Sequence, residues 1–270
     1  MISEKNPLPL KTSIDVARIR KTCRIVEECL RLLNEHVAAG ARTADLEAAV
    51  DRHVRKRGAK SAVRGYKGFP KAICTSTNNV AAHGIPDDSR LEDGDVITVD
   101  VTLCLDGWHG DGAWTYTVGS TSADVKRLVK AAWRANIAGI LAVHAGAHLG
   151  DVGAAINAAA ERNGCKVIRD YVGHGIGEKL HEDPLVPNYG RPEHGMRIVP
   201  GMVFTIEPIV SLGGREVKTM DDGWTVVTAD GSLSAQFEHT LAVFRDHVEV
   251  LTLSGFDPDA SDLVDHPPHF

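Results

Sequence analysis

The chain has 270 residues, of which 43% are hydrophobic and 24% are charged, with a formal net charge of −6. These values are typical of a soluble globular protein with one large or two small domains. The acidic balance gives no reason to expect a nucleic-acid partner, and no apolar run approaches the roughly 20 residues of a membrane span. The five cysteines form no Cys-x-x-Cys pair and the first residues lack the apolar core of a signal peptide, so we predict a reduced, cytoplasmic protein.

Two helices are predicted near the start of the chain. Apolar residues recur at helical spacing over residues 14–37, with Ser13 as the predicted N-cap and Gly40 as the end of the segment. Thr43 is the predicted cap of a second helix, which runs to Gly58. The chain is therefore expected to begin with a pair of helices.

A β-hairpin is predicted next. Residues 96–103 alternate between apolar and polar from position 98, and Asp106-Gly107 is a strong two-residue turn signal. A turn there places Thr102 opposite Asp111, so Asp100 and Asp111 become diagonal neighbours roughly 7–8 Å apart on one face. Taken alone, the hairpin is as consistent with two solvated aspartates as with a metal site.

The helical pattern then returns. A helix is predicted over residues 122–143, capped by Ser122, and a shorter helix over residues 151–164. At an offset of 106 residues the glycines that end the helices align, and at an offset of 107 Asp100 aligns with Glu207. We predict two helix–helix–sheet halves packed back to back in one domain, with a site at their seam.

Each of two later strands encloses an acid. Residues 202–210 form a nearly continuous apolar run around Glu207, and residues 234–243 enclose Glu238 in a similar way. Such runs are buried on both faces, so each carboxylate needs a partner. A single buried Glu is usually salt-bridged, whereas two of them together with the hairpin aspartates favour a metal cluster.

Four of the 13 histidines lie in settings that suggest a site. His174 is flanked by glycines, which let the backbone approach a site closely. His83 and His181 lie in turn-rich segments, and His109 shares the predicted face of Asp111 as a weaker candidate for a supporting role. Any single histidine is nevertheless more commonly a surface or hydrogen-bonded residue.

Four acids and one histidine form the candidate metal site. Brought together, these side chains carry about four negative charges, which are costly to bury without cations. Two divalent ions neutralise that charge. The five residues are Asp100, Asp111, His174, Glu207 and Glu238.

Six motifs, in order over residues 12–250, resemble those of the type I methionine aminopeptidases. The motifs are residues 82–87, 99–102, 107–111, 173–177, 204–208 and 234–240. The resemblance implies an α/β pita-bread fold, with two pseudo-twofold halves around a dinuclear metal site. It implies hydrolytic removal of the N-terminal methionine from peptides and nascent proteins.

The resemblance also assigns ligands. It implies that Asp111 and Glu238 bridge two divalent ions, that Asp100 holds one ion, and that His174 and Glu207 hold the other. Oxygen-rich coordination with one imidazole suits cobalt, manganese, iron or zinc. Two such ions about 3.5–4 Å apart lower the pKa of a bridging water, and the resulting hydroxide is the expected nucleophile.

Catalytic and substrate-binding roles follow from the same resemblance. Glu207 is the implied proton carrier, His181 contacts the scissile carbonyl, and His83 contacts the amide nitrogen of the leaving group. The implied methionine pocket is lined by Tyr66, Phe69, Cys74, Leu180 and Trp224, with His83 and His181 at its edge. Core packing is the alternative for each pocket residue.

The sequence departs from the common bacterial pattern at three pocket positions. Phe69 stands where Tyr is common, Lys67 where His is common, and Leu180 where an aromatic residue is common. These departures leave the chemistry intact and put the pocket shape in question.

Two alternative functions are compatible with the same fold. An aminopeptidase P- or prolidase-like X-Pro peptidase uses similar ligands, and a non-catalytic pita-bread binding protein has lost some of them.

We expect a catalytic domain over residues 13–252, a short segment over residues 1–12, and a flexible tail over residues 253–270. We expect a monomer, and contact with the ribosome is conceivable.

Overall fold

Four helices occur as two sequential pairs in the computed structural model, which describes residues 8–256 and residue 267. The helices are α1 (Ser13–Leu33), α2 (Thr43–Lys56), α3 (Ala123–Leu141) and α4 (Leu149–Arg162). Both predicted pairs are therefore present. The cap predicted for α3 is confirmed, since the Val125 N–H donates to Ser122 Oγ at 3.2 Å.

The ends of the other helices differ from the prediction. Thr12, not Ser13, caps α1, because Thr12 and Asp15 form a reciprocal capping box. The helix ends at Leu33 rather than at residue 37, and Val37 continues the apolar pattern only because it packs on the core from the following turn. The Thr43 hydroxyl does not cap α2, since it donates to the Asp87 carbonyl at 3.0 Å.

Fifteen short strands are found among the described residues. They are β1 (Lys60–Ser61), β2 (Cys74–Thr77), β3 (Val80–Ala82), β4 (Val96–Leu105), β5 (Trp108–Thr117), β6 (Lys166–Val167), β7 (Gly173–Gly175), β8 (Glu182–Val186), β9 (Val203–Ile206), β10 (Ile209–Ser211), β11 (Val217–Thr219), β12 (Val226–Thr228), β13 (Ser234–Gln236), β14 (Glu238–Val243) and β15 (Val248–Val250). A 3-10 turn spans Tyr66–Gly68.

Nine of these strands form the main sheet. Its order is β1-β4-β5-β14-β9-β7-β8, with β2 added on β4 and β15 added on β14. Helix α1 packs on β4 and β5, while α3 packs on α4 and on β9. The largest fully buried side chains include Trp114, Trp133, Phe204 and Phe237, so the core lies between the sheet and the helices.

The predicted hairpin is confirmed in register. Strands β4 and β5 pair antiparallel over ten residues each, with Thr102 opposite Asp111 and Asp100 opposite Ala113. Asp100 and Asp111 are therefore diagonal neighbours, as the Asp106-Gly107 turn signal predicts.

The two halves repeat one another in their backbone hydrogen bonds. The Gly40 N–H donates to the Leu91 carbonyl at 2.7 Å, and the Gly146 N–H donates to the Ile198 carbonyl at 2.9 Å. In each half, this hydrogen bond connects the loop between the two helices to the segment that precedes a strand of the main sheet. The predicted internal repeat is therefore present in the structure as well as in the sequence.

Part of the predicted C-terminal tail packs on the folded domain. Leu253 is buried and Phe256 packs against the main core. Residues 1–7, 257–266 and 268–270 lie outside the described part, which includes most of the tail predicted over residues 253–270. All five cysteines are buried and free. Within the described chain, no helix has the length and apolarity needed to cross a bilayer.

Candidate metal centre

Five neighbouring strands of the main sheet each bring one candidate ligand to the same place. Asp100 lies in β4, Asp111 in β5, Glu238 at the start of β14, Glu207 directly after β9, and His174 in β7. These strands are adjacent in the order β4-β5-β14-β9-β7. Residues far apart in the sequence therefore meet because the sheet joins the two halves.

The ligand atoms are close enough to share a cation. Candidate atoms of Asp111, His174 and Glu238 all lie within 4.8 Å of one another. His174 Nε2 is 3.7 Å from an Asp111 carboxylate oxygen and 3.6 Å from a Glu207 carboxylate oxygen. His174 Nδ1 lies 3.0 Å from the Gly175 carbonyl, and this contact directs Nε2 into the cluster.

Threonine hydroxyls orient two of the carboxylates. Thr102 Oγ1 donates to Asp111 at 2.8 Å, and Thr205 Oγ1 donates to Glu207 at 2.7 Å. The His174 backbone N–H donates to Thr205 at 3.0 Å, which links the histidine strand to the glutamate. Such outer hydrogen bonds fix the direction of ligand oxygens and tune affinity for metal.

Burial perturbs every acid of the cluster. Burial raises the pKa of Asp100 to about 6 and that of Glu207 to about 8. Burial, reinforced by neighbouring carboxylates, raises the pKa of Asp111 and of Glu238 well above the usual range. Without cations, the cluster therefore takes up protons instead of carrying its full negative charge.

The donor set fits a divalent metal. Asp100 Oδ1 is buried and has no hydrogen-bond partner within the described residues, so it has a lone pair to offer. Burial lowers the pKa of His174 to about 4, which keeps the imidazole neutral and able to coordinate. Several carboxylates with one neutral imidazole suit a first-row divalent cation.

A cavity of about 260 Å³ opens above the cluster. All twelve residues that the sequence analysis assigned to the site line this cavity. They are Tyr66, Phe69, Cys74, His83, Asp100, Asp111, His174, Leu180, His181, Glu207, Trp224 and Glu238. The structure thus brings together the candidate ligands, the two histidines with predicted catalytic roles and the residues predicted to line the methionine pocket.

His83 is held at one side of this cavity by aromatic contacts. Its ring centroid lies 5.2 Å from that of Tyr171 and 6.4 Å from that of Trp224, both edge-to-face. The residue adopts a positive φ of 55°, which is uncommon outside glycine. Burial lowers the pKa of His83, so the imidazole is neutral near pH 7.

His181 also lines the cavity. Its Nδ1 is 2.9 Å from the Tyr66 hydroxyl, and its ring centroid is 4.3 Å from that of His174. Burial, followed by the positive charge of Lys67, lowers the pKa of His181. Lys67 itself lines the cavity, with Nζ 5.3 Å from the Tyr66 ring.

The remaining wall is apolar and contains a sulfur atom. Phe69 and Trp224 pack edge-to-face with centroids 5.2 Å apart. Cys74 lies opposite Asp100 in the β2–β4 pairing, and burial raises the pKa of its thiol well above the usual range. This wall is suited to an uncharged, polarisable side chain.

One histidine and one tyrosine complete the description of the site. His109 does not line the cavity, and its Nδ1 lies 3.0 Å from the Gly177 carbonyl, so the supporting role stays a prediction. Tyr171 lines the cavity and was missed. The available signal was an aromatic residue two positions before the glycine-rich segment 173–177.

A buried carboxylate–imidazole cluster at the floor of a small cavity is the mark of a metal-dependent enzyme. The model of metallopeptidase family M24 matches residues 17–244, which is most of the chain. The chain belongs to this family. Family membership and the Asp111–His174–Glu238 cluster together indicate that the chain binds divalent metal.

Relatives and solved structures agree with this assignment. A methionine aminopeptidase of Clostridium perfringens is 43% identical over 244 residues, covering 90% of this chain and 98% of the relative. The crystal structure of methionine aminopeptidase from Rickettsia prowazekii has a TM-score of 0.90 at 42% identity, covering 91% of this chain and 100% of that one. The predicted pita-bread fold is confirmed by this likeness.

A more distant likeness concerns the fold alone. Prolidase from Pyrococcus furiosus has a TM-score of 0.73 at 20% identity, covering 92% of this chain and 66% of that one. Because the relatives at 42–43% identity are methionine aminopeptidases, the X-Pro peptidase alternative is not favoured.

Proposed function

We propose that this chain removes the N-terminal methionine from peptides and nascent proteins by hydrolysis. The observation that carries the proposal is the position of the acidic cluster at the floor of a cavity of about 260 Å³ with an apolar, sulfur-containing wall. A cavity of that size is at the small end for ligands and suits one side chain. The methionine aminopeptidase relatives point to the same reaction.

We propose that the cluster holds two divalent ions. Asp111 and Glu238 are the proposed bridging ligands, which is consistent with their neighbouring strands at the middle of the ligand row. Asp100 lies on one side of that pair, while Glu207 and His174 lie on the other, so each side has a ligand for one ion. Cobalt, manganese, iron and zinc all suit this donor set.

Bound divalent cations supply the positive charge that lowers the pKa of water and polarises a carbonyl. Glu207 is the proposed proton carrier between the attacking water and the leaving amine, because a carboxylate in the cluster can accept a proton and return it. Thr205 holds one oxygen of Glu207, which keeps the carboxyl in a fixed orientation.

The two histidines are proposed to act on opposite sides of the scissile bond. We assign the Tyr66 hydroxyl as the donor to His181 Nδ1, which places the imidazole proton on Nε2. That N–H is then free to donate to the carbonyl oxygen as negative charge develops on it. His83, which lines the same cavity, is the proposed contact to the amide nitrogen.

Specificity for methionine is proposed to come from the apolar wall. Phe69, Trp224 and the neutral Cys74 thiol offer aromatic and sulfur contacts to a thioether. Leu180 is buried in the same wall and fills the place where an aromatic residue is common.

The wider setting is also a proposal. The buried, free state of all five cysteines supports a reduced cytoplasmic environment. We propose a monomer that acts on nascent chains and contacts the ribosome. Analytical ultracentrifugation of the purified protein, alone and with ribosomes, tests both statements.

The function is tested by metal add-back. The protein is stripped with a chelator, each of the four divalent ions is restored in turn, and Met-Ala-Ser and an X-Pro peptide are offered. We expect free methionine from Met-Ala-Ser only after metal is restored, and none from an N-acetylated control. Cleavage of the X-Pro peptide alone would move the assignment to the prolidase-like alternative, and cleavage of neither would favour a binding protein.

A further inference from the structure

A buried ion pair lies beneath the loop that carries His181. Lys11, which precedes α1, has its Nζ 2.5 Å from Oε2 of Glu182, and the two side chains are only 7% and 8% exposed. Glu182 directly follows His181 and begins β8. A buried ion pair is costly to desolvate and is weak support for stability by itself, so a different role needs to be considered.

The Glu182 carboxylate joins two parts of the chain. Its Oε2 accepts from Lys11, and its Oε1 accepts from the Lys179 backbone N–H at 3.0 Å. Lys11 is fixed in turn, because its backbone N–H donates to the Gly201 carbonyl at 2.7 Å. The loop over residues 176–181 is therefore tied at its base to the segment that precedes α1.

Gly177 shows how closely this tie is packed. A Cβ added there would lie 2.4 Å from Cε of Lys11 and 3.0 Å from Oε1 of Glu182. The Gly177 carbonyl also accepts the His109 backbone N–H at 2.8 Å. The aliphatic stem of Lys11 thus covers the loop backbone, while its charged end holds Glu182.

Few side-chain contacts other than the Lys11–Glu182 ion pair hold the His181 region in position. Its imidazole meets the Tyr66 hydroxyl and the His174 ring. Tyr66 belongs to the short 3-10 turn Tyr66–Gly68, none of whose residues is buried. The backbone on which His181 stands is therefore the part of the structure that fixes where the imidazole lies.

We infer that Lys11 and Glu182 are positioning residues for the reaction and act through His181. This inference rests on the proposed function, because it assigns His181 to the scissile carbonyl. The pair clamps the turn between β7 and β8 so that the imidazole faces the place where the carbonyl oxygen becomes negative. A displacement of about 1 Å at such a donor costs roughly 10²-fold in rate.

The test is a double-mutant cycle between Lys11 and His181. Lys11→Met is made in the wild-type and in the His181→Ala backgrounds, and kcat and KM are measured with Met-Ala-Ser alongside metal content. In the wild-type background we expect kcat to fall roughly 10- to 100-fold with KM within about twofold. In the His181→Ala background Lys11→Met should change kcat by less than about twofold, because residues that act as a unit are not additive.

Three further variants keep the test decisive. Lys11→Met leaves the Glu182 carboxylate buried without its cation, so Lys11→Met/Glu182→Gln replaces it if the single variant does not fold. Lys11→Arg retains the charge and should recover much of kcat. Arg20→Met is the control for general loosening, since Arg20 makes a more exposed ion pair with Glu249 at 2.6 Å, which ties α1 to β15 and does not line the cavity.

The outcomes separate the two proposals. A wild-type enzyme that releases methionine, with Lys11→Met effects that are absent or equal in both backgrounds, overturns the positioning role alone. An equal loss in Arg20→Met also overturns it, because the effect is then general loosening. Failure of the metal-loaded wild type to release methionine overturns the proposed function and, with it, the role assigned through His181.

Discussion

The two halves of the chain share a backbone frame but supply the cavity in different ways. The first half places Asp100 and Asp111 on one hairpin whose register is unbroken over ten pairs. The second half places its residues on separate short strands, and the β7–β8 pairing contains a bulge between His174 and Gly175. His181 follows in the loop after that bulge.

The two halves therefore build one site in two ways. A long regular hairpin holds two carboxylates at a fixed separation, which suits a site that must accept cations without rearranging. Short strands joined by loops place the other three candidate ligands, His174, Glu207 and Glu238, individually. The four helices contain none of the five candidate ligands.

The largest expected effect comes from removing one carboxylate in each half. Asp111→Asn and Glu238→Gln should each reduce methionine release by roughly a thousandfold or more and lower the bound metal, since both residues belong to one cluster. Metal content by mass spectrometry and initial rates are the measurements. Equal losses in both variants would show that neither half forms the site alone.

The matched control removes a buried carboxylate outside the cluster. Glu27 in α1 is buried and accepts hydrogen bonds from Arg31 and Ser254. Glu27→Gln should retain metal and most activity. Full metal content in either Asp111→Asn or Glu238→Gln would contradict the shared site.

The next effect concerns one histidine from each half. His83→Ala and His181→Ala should each reduce kcat by about 10²–10³-fold while metal content stays near that of the wild type, because both residues line the cavity without being proposed ligands. Tyr66→Phe, which removes the hydroxyl beside His181, should have a smaller effect in the same direction. Loss of metal in both alanine variants would make the histidines structural.

The buried carboxylates of the cluster predict how the stability of the metal-free protein changes with pH. The folded-state pKa values of Asp100 and Glu207 are raised to about 6 and about 8. Their contribution to stability is therefore present below about pH 4 and is lost as the pH rises through those values. Chelated protein should lose about 1.4 kcal/mol of stability per pH unit for each proton released, or about 2–4 °C in Tm.

Thermal unfolding between about pH 5 and about pH 8, with chelator and with added divalent ion, tests this expectation. Added metal should remove the decline, and Glu207→Gln should flatten its upper part. His174 contributes with the opposite sign, because its pKa is lowered to about 4 and its contribution is lost as the pH falls towards that value. A metal-free protein that gains stability as the pH rises from about 6.5 to about 8, above the range in which the histidines titrate, would contradict the buried carboxylate cluster.

The sequence was sufficient for features that depend on local rules. The Asp106-Gly107 turn fixes the register of β4 and β5, and that register places Asp100 diagonal to Asp111. Apolar periodicity located both helical pairs, and the failures were at helix ends. Val37 misled the prediction because a residue in a turn can pack on the core as well as one in a helix can.

Features that depend on contacts distant in sequence could not be predicted from local patterns, and the site residues were assigned only through the family resemblance. Cys74 lies opposite Asp100 because β2 joins β4, and nothing local in the sequence identifies that pairing. Lys11 and Glu182 are 171 positions apart, and each looks like an ordinary surface charge in the sequence. The alignment of the candidate ligands across five strands likewise depends on the order in which the two halves join.

The smallest expected effect concerns the helix ends that the two halves have in common. Gly58 and Gly164 end α2 and α4 with nearly equal φ values of 73° and 72°, a conformation that costs a non-glycine residue roughly 1–2 kcal/mol. Gly58→Ala should cost about 1 kcal/mol, since its Cβ meets nothing within 4 Å, whereas Gly164→Ala should cost slightly more because Arg127 lies 3.1 Å from the new atom. Denaturant unfolding of the metal-loaded protein measures both, with Lys56→Ala on the exposed end of α2 as the control. A neutral result at one glycine alone would mean that the two helix ends are alike in geometry but not in their contribution to stability.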